Sequence, residues 1–114
     1  MNFKIILTSR FEKEAKKIAR VYPQFKTDIE ALLESLSSDP NQGSHLGHGI
    51  YKVRIQITGK PTGKRYGARS LHAVFSAQKE LYLLSIYDKS AKKDLNSAEL
   101  KELAQFIEFL RSKE

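Results

Sequence analysis

The sequence contains no cysteine among its 114 residues. That absence excludes disulfides, metal sites built on thiolates and a thiol nucleophile, and it is consistent with a reducing cytoplasm. The chain also lacks an apolar run long enough to span a membrane, and its apolar N-terminal stretch, Met1 to Thr8, is too short for a signal peptide. We therefore expect a soluble cytoplasmic protein, whose length fits a single domain over residues 1–114.

Acidic residues are absent from the middle third of the chain. No Asp or Glu occurs between Asp39 and Glu80, although seven of the twenty Lys and Arg residues lie there. The other thirteen basic residues are matched by thirteen acidic ones, so the formal net charge of +7 resides in this window. Six of the seven basic residues lie between Ile50 and Arg69. A charge imbalance this localised suggests a polyanionic partner such as a nucleic acid.

Apolar spacing along the first half of the chain predicts a strand followed by two helices. Residues 3–8 are rich in β-forming side chains, and Ser9 and Glu12 have the Ser-x-x-Glu spacing of a capping box, which marks the start of a helix. Two segments with one apolar stripe each follow, and Pro23 separates them. Because each segment has only one apolar face, we expect a helix hairpin that packs on a sheet.

The second half of the chain predicts three more strands and a last helix. Residues 51–58 alternate apolar with polar or cationic side chains, and residues 71–75 and 81–87 are further apolar strand segments. Asn96 and Glu99 repeat the capping-box pattern, which starts a C-terminal helix. The predicted fold is therefore α+β, with a strand, a two-helix hairpin, a three-strand antiparallel meander and a C-terminal helix.

Two segments are predicted to be loops. One is residues 41–49, which contain three glycines, and the other is the glycine-rich segment 59–67. With the helices on one face of an antiparallel sheet, the opposite face would stay open to solvent. The alternation of the strand predicts that Lys52 and Arg54 point to that open face.

Sequence patterns for several common active sites are absent or incomplete. His45 and His48 lie three apart in a loop without a nearby carboxylate or cysteine, whereas a zinc site needs three or four ligands. The run from Gly59 to Lys64 is one residue short of a Walker loop and lacks its Ser or Thr. No serine stands in an elbow motif and no pair of acids lies in the basic window, so hydrolytic triads and glycosidase carboxylate pairs are unsupported.

The remaining candidates are cations with aromatic rings among them. Lys52 and Arg54 share one strand face, and four more basic residues follow in or beside the glycine-rich segment, namely Lys60, Lys64, Arg65 and Arg69. The rings interleaved with them, which can stack on unpaired bases, are Tyr51, Tyr66, His72 and Tyr87. Since Arg binds phosphate bidentately and Lys supplies a mobile charge, this cluster indicates nucleic-acid binding.

The same cluster permits RNA cleavage. RNA carries its own nucleophile, the 2′-OH, so cleavage needs a base for that proton, cations beside the crowded phosphate and an acid for the leaving oxygen. Crowded like charges favour an uncharged amine, which makes Lys52 a candidate for the base.

Three segments, taken in order, carry a family resemblance. They are Gly49-Ile-Tyr-Lys-Val-Arg-Ile55, Gly63-Lys-Arg-Tyr-Gly-Ala-Arg69 and Leu83-Leu-Ser-Ile-Tyr-Asp-Lys-Ser90, the last followed by Asp94-Leu95. In order and spacing the chain resembles the RelE/HigB-type toxins of bacterial toxin–antitoxin systems, within the RelE/ParE superfamily, over nearly its full length. The resemblance implies an antiparallel sheet backed by helices, a ribosome-dependent and metal-independent mRNA endoribonuclease that needs no cofactor, and a cognate antitoxin as partner.

The resemblance also implies a set of site residues. The family's basic residues carry over by position onto Lys52, Arg54, Arg69 and Lys89, and Tyr87 completes the predicted catalytic set. Some members have a tyrosine or histidine beyond the last strand for proton transfer, but Leu95-Asn96-Ser97 offers neither, so Tyr87, Lys89 or the ribosome would have to substitute. The residues predicted to bind RNA without taking part in the chemistry are Lys60, Lys64, Arg65 and His72.

Arg69 is the position at which alternation and resemblance disagree. Strict alternation places it on the same face as Leu71 and Phe75, with Ser70 and His72 on the polar side. A bulge or strong twist near Gly67-Ala68 would return Arg69 to the cationic face, and that is the arrangement we expect.

Two other functions are compatible with the sequence. A ParE-like inhibitor would bind gyrase and cut no RNA; the dense basic strand argues against it, and a plasmid supercoiling assay would decide. A non-catalytic RNA-binding protein would bind RNA tightly and with strong salt dependence, but would cleave nothing in a translating extract.

Overall fold

The computed structural model describes residues 2–63 and 65–113. In this part of the chain three helices accompany a five-stranded sheet. The elements follow one another as β1 (Lys4–Leu7), α1 (Ser9–Val21), α2 (Phe25–Ser38), β2 (Ser44–Gly47), β3 (Ile50–Ile55), β4 (Ala68–Phe75), β5 (Glu80–Asp88) and α3 (Ser97–Arg111). The predicted α+β class, the helix hairpin and the C-terminal helix are confirmed.

The sheet is mixed, and its strand order is β1-β5-β4-β3-β2. The strands β3, β4 and β5 pair antiparallel and form the predicted meander. The first strand, β1, pairs with β5 in parallel, so it joins the sheet beside the last strand. A parallel pair needs a long connection between its strands, and here that connection includes α1 and α2. None of the helices within residues 2–63 and 65–113 is long and apolar enough to cross a membrane.

Part of the segment predicted as a loop, residues 41–49, is a short edge strand. Residues 44–47 form β2, which pairs antiparallel with β3. The glycines that suggest a loop instead allow β2 to begin close against β3. Gly43 has a φ of +98°, and a Cβ added there would lie 2.4 Å from the main-chain oxygen of Lys52. Only glycine fits this conformation and this close approach.

The N-terminal caps of the first and last helices differ in how well the sequence predicts them. The capping residue of α1 is Thr8, one residue before Ser9, and its Oγ1 accepts a hydrogen bond from the Phe11 N–H at 3.3 Å. The Ser9-based capping box is therefore wrong. The capping box of α3 is confirmed, since Asn96 Oδ1 accepts from the Glu99 N–H at 2.8 Å and Glu99 Oε1 accepts from the Asn96 N–H at 3.0 Å.

The helices lie on both faces of the sheet. The hairpin of α1 and α2 packs on one face, where the core includes Phe11, Ile18, Phe25, Leu36, Val53, Leu81, Leu83 and Ile86. The last helix packs on the other face, which we call the α3 face, with a second core that includes Ile50, Leu71, Ala73, Phe75, Leu84, Leu103 and Ile107. The buried strand β4 therefore contributes alternate residues to two cores.

The α3 face is apolar at one end and cationic at the other. Ile50 and Leu71 belong to the apolar core under α3. The positions that follow on the same face, Lys52 and Arg54 along β3 and Arg69 along β4, are cationic. The open sheet face predicted for Lys52 and Arg54 is thus limited to this cationic end, because α3 covers the rest.

Candidate active site

Three of the predicted site residues form one row across the sheet. Arg54 on β3 is paired with Arg69 on β4, and Arg69 is paired with Tyr87 on β5. Directly paired residues of neighbouring strands project from the same face, so these three side chains share the cationic end of the α3 face. Lys52 lies two residues before Arg54 and on the same face, opposite Leu71.

No bulge is needed to place Arg69 in this row. The pairing of β3 with β4 is regular from Ile50 to Ile55, and the only irregularity in β4 lies between Leu71 and His72 in its pairing with β5. The expected bulge near Gly67 is therefore wrong. Arg69 shares a face with Leu71, as strict alternation predicts, and also with Lys52 and Arg54, because the α3 face is itself half apolar and half cationic.

Arg69 is held close to the sheet, whereas Arg54 is exposed. Arg69 is only 8% exposed, and its Nη1 donates to the main-chain oxygens of Tyr66 and Ala68, both at 3.3 Å. Burial, and then the charge of Arg54, lower the pKa of the Arg69 guanidinium, while Tyr87 and Asp94 act in the opposite direction. Guanidinium remains protonated at any physiological pH, so the row presents two adjacent positive charges.

The carboxylate of Asp94 connects Tyr87 with Lys52. Its Oδ1 accepts hydrogen bonds from the Tyr87 hydroxyl and from the Leu95 N–H, each at 2.9 Å, and its Oδ2 lies 3.6 Å from Lys52 Nζ. Asp94 therefore bridges Tyr87 on β5 and Lys52 on β3.

The same contacts determine how Asp94 and Tyr87 ionise. Burial alone would raise the pKa of Asp94, but hydrogen bonds from Tyr87 and Leu95 and the charges of Lys52 and Lys89 lower it below its ordinary value. Burial, and then the hydrogen bond to Asp94, raise the pKa of Tyr87 well above its ordinary value. At neutral pH the site therefore contains an ionised Asp94 and a protonated Tyr87.

Lys89 lies at the border of the row. Its main-chain N–H donates to the Gly67 oxygen at 3.0 Å, which joins the end of β5 to the start of β4. Its ammonium donates to the main-chain oxygen of Lys93, and its charge contributes to the lowered pKa of Asp94. All five residues of the predicted catalytic set thus lie together, and we call them the cationic site: Lys52, Arg54, Arg69, Tyr87 and Lys89.

Not all of the residues predicted to bind RNA without a catalytic role lie at this site. His72 is fully buried; its Nε2 lies 2.7 Å from the Pro40 oxygen and its ring stacks on Tyr51 at 5.5 Å. A fully buried ring cannot contact RNA, so His72 lies away from the surface that the sequence predicts for it. Arg65 is exposed in the segment before β4, and Lys64 lies outside the described residues.

Lys60 forms an ion pair with Asp88. Its Nζ lies 2.8 Å from Asp88 Oδ2 and 5.4 Å from the centre of the Tyr22 ring at the end of α1. Asp88 is paired with Ala68, which belongs to the core under α1 and α2. Lys60 is therefore on the hairpin face, opposite to the cationic site.

Sequence reasoning assigned no role to Asp94. It lies outside the acid-free window and far from Lys52 along the chain, so neither charge pattern nor spacing connects the two. The one signal was its place in the Asp94-Leu95 pair of the family pattern. Within residues 2–63 and 65–113, no group of three or more His, Asp or Glu side chains could hold a metal ion.

Comparison with known proteins identifies the family. The family described as "RelE toxin of RelE / RelB toxin-antitoxin system" matches residues 3–113. The chain therefore belongs to the RelE toxin family. It is a toxin of a toxin–antitoxin system, as the resemblance of its three segments predicts.

Two solved structures of E. coli proteins are similar to this chain. A double arginine-to-alanine mutant of the E. coli toxin RelE in the free state is 16% identical, with a TM-score of 0.60, over 82% of this chain and 90% of that chain. The intact E. coli RelBE toxin–antitoxin complex is 20% identical, with a TM-score of 0.46, over 75% of this chain and 94% of that one. At these identities the likeness to the free toxin shows the fold alone.

Proposed function

We propose that the protein is an endoribonuclease that cleaves mRNA on the ribosome and thereby inhibits translation. The observation that carries this proposal is the row of Arg54 and Arg69, directly paired arginines of β3 and β4 at the cationic end of the α3 face. Such a pair can hold the two non-bridging oxygens of a phosphodiester bidentately. The family membership supports a toxin, and the cationic site supports a substrate with a phosphate backbone.

The reaction would use the nucleophile that RNA carries. The 2′-oxygen attacks the adjacent phosphorus, the bond from phosphorus to the 5′-oxygen breaks, and the products are a 2′,3′-cyclic phosphate and a free 5′-OH. Negative charge accumulates on the phosphate in the transition state, and positioned cations stabilise it more strongly there than in the ground state. Arg54 and Arg69 would hold that phosphate, with Lys52 and Lys89 as further cations at its border.

Lys52 has a different role in this proposal from the one that the sequence suggests. Its Nζ forms an ion pair with Asp94 at 3.6 Å and lies on the same face as the two arginines, so we assign it to phosphate stabilisation. Tyr87 is buried and its hydroxyl donates a hydrogen bond to Asp94, so we assign it to support of the site. The proton transfers would then fall to Lys89 or to the ribosome.

Growth arrest on induced expression tests this assignment. The variant Lys52→Ala/Arg69→Ala should lose toxicity, because removing one such stabilising group costs about 100- to 1000-fold in rate. Lys13→Ala/Lys101→Ala is the matched control, since it also removes two positive charges, but from exposed helix positions. Both proteins should be present at wild-type levels. Growth arrest by the site variant as strong as by the wild type would show that the assigned site is wrong.

We further infer that the partners are a cognate antitoxin, the ribosome and mRNA, which would place the protein in the cytoplasm. The antitoxin follows from the family's description as a toxin–antitoxin pair. Co-expression with the small protein encoded beside this gene should restore growth, and the two proteins should co-purify. Persistent toxicity with no co-purification would contradict that partner.

A further inference from the structure

Asp94 is a carboxylate that contacts two residues of the cationic site. It contacts Tyr87 through one oxygen and Lys52 through the other, so it joins β5 to β3 across the intervening strand β4. The Leu95 N–H adds a third contact, to the same oxygen as Tyr87. Both oxygens of the carboxylate therefore have a partner, although the Asp94 side chain is 60% exposed.

The segment that carries Asp94 is itself held on both sides. Before Asp94, the Ser90 N–H and hydroxyl donate to Asp88 Oδ1 at 3.0 and 2.8 Å. After it, Asn96 forms the capping box with Glu99. Lys92, which precedes Asp94, pairs with the carboxylate of Glu99 as well. The side chain of Asp94 thus extends into the cationic site from a backbone that is fixed on both sides.

The electrostatic effect of Asp94 on Lys52 is opposite in sign to that of the neighbouring cations. Arg54 and Arg69 repel the Lys52 ammonium, and a long lysine side chain would otherwise move away from them into solvent. Attraction to Asp94 keeps Lys52 on the α3 face, where its side chain is 25% exposed. The hydrogen bond to Tyr87 fixes the ring beside Arg69 in the same way.

We propose that Asp94 is a positioning residue of the cationic site, which holds Lys52 and Tyr87 in their catalytic places without contacting the RNA. This inference rests on the proposed endoribonuclease function. Asp94 contributes a negative charge where an anionic substrate binds, so it weakens RNA binding somewhat while it improves the geometry of the reaction. Its loss should therefore affect the rate constant and the binding constant in opposite directions.

The test is the variant Asp94→Asn, which keeps an oxygen acceptor for Tyr87 and removes the charge that holds Lys52. We expect kcat for cleavage of ribosome-bound mRNA to fall about 10- to 100-fold, as for a small misplacement of a reacting group. We expect RNA binding to stay equal or become tighter. Asp39→Asn is the matched control, since it removes the same charge from an exposed position at the end of α2, and both constants should then match the wild type.

A double-mutant cycle shows whether Asp94 acts through Lys52. In a Lys52→Ala protein, the further change Asp94→Asn should have little effect on kcat, since the two residues belong to one interaction. Equal losses in both backgrounds would overturn the proposal. Unchanged or faster cleavage by Asp94→Asn would also overturn it, because Asp94 would then only repel the substrate. A loss of RNA binding, kcat and thermal stability together in Asp94→Asn would overturn it as well, because the residue would then be merely structural.

A stability measurement separates this proposal from the proposed function. The free energy of unfolding is measured for the wild type, Tyr87→Phe, Asp94→Ala and the double variant. The two single losses should sum to more than the loss in the double variant, because the Tyr87 hydroxyl and Asp94 share one hydrogen bond at 2.9 Å. Additive losses would overturn the positioning contact whether or not the protein cleaves RNA. If the wild type cleaves no ribosome-bound mRNA, the proposed function fails and the catalytic part of this inference fails with it.

Discussion

Arg54 and Arg69 are direct cross-strand partners, so two arginine side chains leave the same face of the sheet at neighbouring positions. Like charges directly opposite each other on a sheet destabilise it. The burial of Arg69 adds a desolvation cost, which is reflected in the lowered pKa of its guanidinium. A pair that costs stability in the free protein is consistent with selection for binding an anion.

Salt dependence of RNA binding should distinguish Arg54 from Lys60. Each cation that neutralises a phosphate of a single strand contributes about 0.7 to the slope of log K against log salt concentration. Arg54→Ala should therefore lower the slope by about that amount. Lys60→Ala should leave it unchanged, because Lys60 is paired with Asp88 on the opposite face. Binding to a short single-stranded RNA, measured at several salt concentrations, gives both slopes; equal slopes for Arg54→Ala and the wild type would be evidence against the phosphate contact.

Lys60 should instead matter for stability. Its ion pair with Asp88 is mostly buried, with side chains 11% and 16% exposed, and Lys60→Met leaves the carboxylate without that partner. We expect a loss of about 1–2 kcal/mol in the free energy of unfolding, between the values for exposed and buried ion pairs. Urea denaturation at pH 7 measures the loss, and Lys101→Met on the exposed surface of α3 should change stability little.

The pH dependence of the Lys60–Asp88 contribution follows from the sign of the Asp88 shift. Burial would raise the pKa of Asp88, but hydrogen bonds from Lys60 and Ser90 lower it below 3.8. A carboxyl whose pKa is depressed by folding stabilises the protein above its unfolded pKa and loses that contribution as pH falls through the folded pKa. The difference between wild type and Lys60→Met should therefore be full above pH 4 or so and shrink at lower pH. A constant difference down to pH 2 would contradict the ion pair.

His72 should make the fold sensitive to mildly acidic pH. Burial lowers the pKa of His72 below 6.5, although the hydrogen bond to Pro40 opposes this shift. The unfolded chain then binds a proton more readily than the folded one, so stability falls as pH decreases below about 6.5 and levels off below the folded pKa. In His72→Phe the midpoint of urea denaturation should therefore change less between pH 7.5 and pH 5 than it does in the wild type. His48→Gln, at an exposed position, is the control and should show the same pH dependence of the midpoint as the wild type. If the midpoint of His72→Phe also depends on pH as strongly as that of the wild type, His72 is not the cause.

The fold could be predicted from the sequence where local patterns determine it. One apolar stripe per helix and alternation in β3 lead to the hairpin and the meander, because each element has a face that must be buried. The edge strand β2 could not be predicted, because its formation depends on the close approach of Gly43 to Lys52, a contact with another strand. Short edge strands lack the long apolar pattern that identifies interior ones.

Arg69 and His72 show why the site could be predicted only in part. Both lie on β4, whose residues point alternately into two cores. Alternation along the strand therefore shows which residues share a face, but not which face is exposed and cationic. The position of α3 determines that, and α3 is distant in sequence. Asp94 was missed for a related reason, since its contacts with Lys52 and Tyr87 arise only when the segment after β5 folds back on the sheet.

The most direct test of the central claim is to map cleavage of an mRNA by the purified protein, with and without ribosomes. We predict new 5′ ends within the ribosome-bound codons and none on the free RNA. Arg54→Ala/Arg69→Ala should reduce them by at least about 100-fold, since it removes the pair that holds the phosphate. Absence of cleavage by the wild type on ribosomes, or cleavage by the double variant at the wild-type rate, would contradict the account.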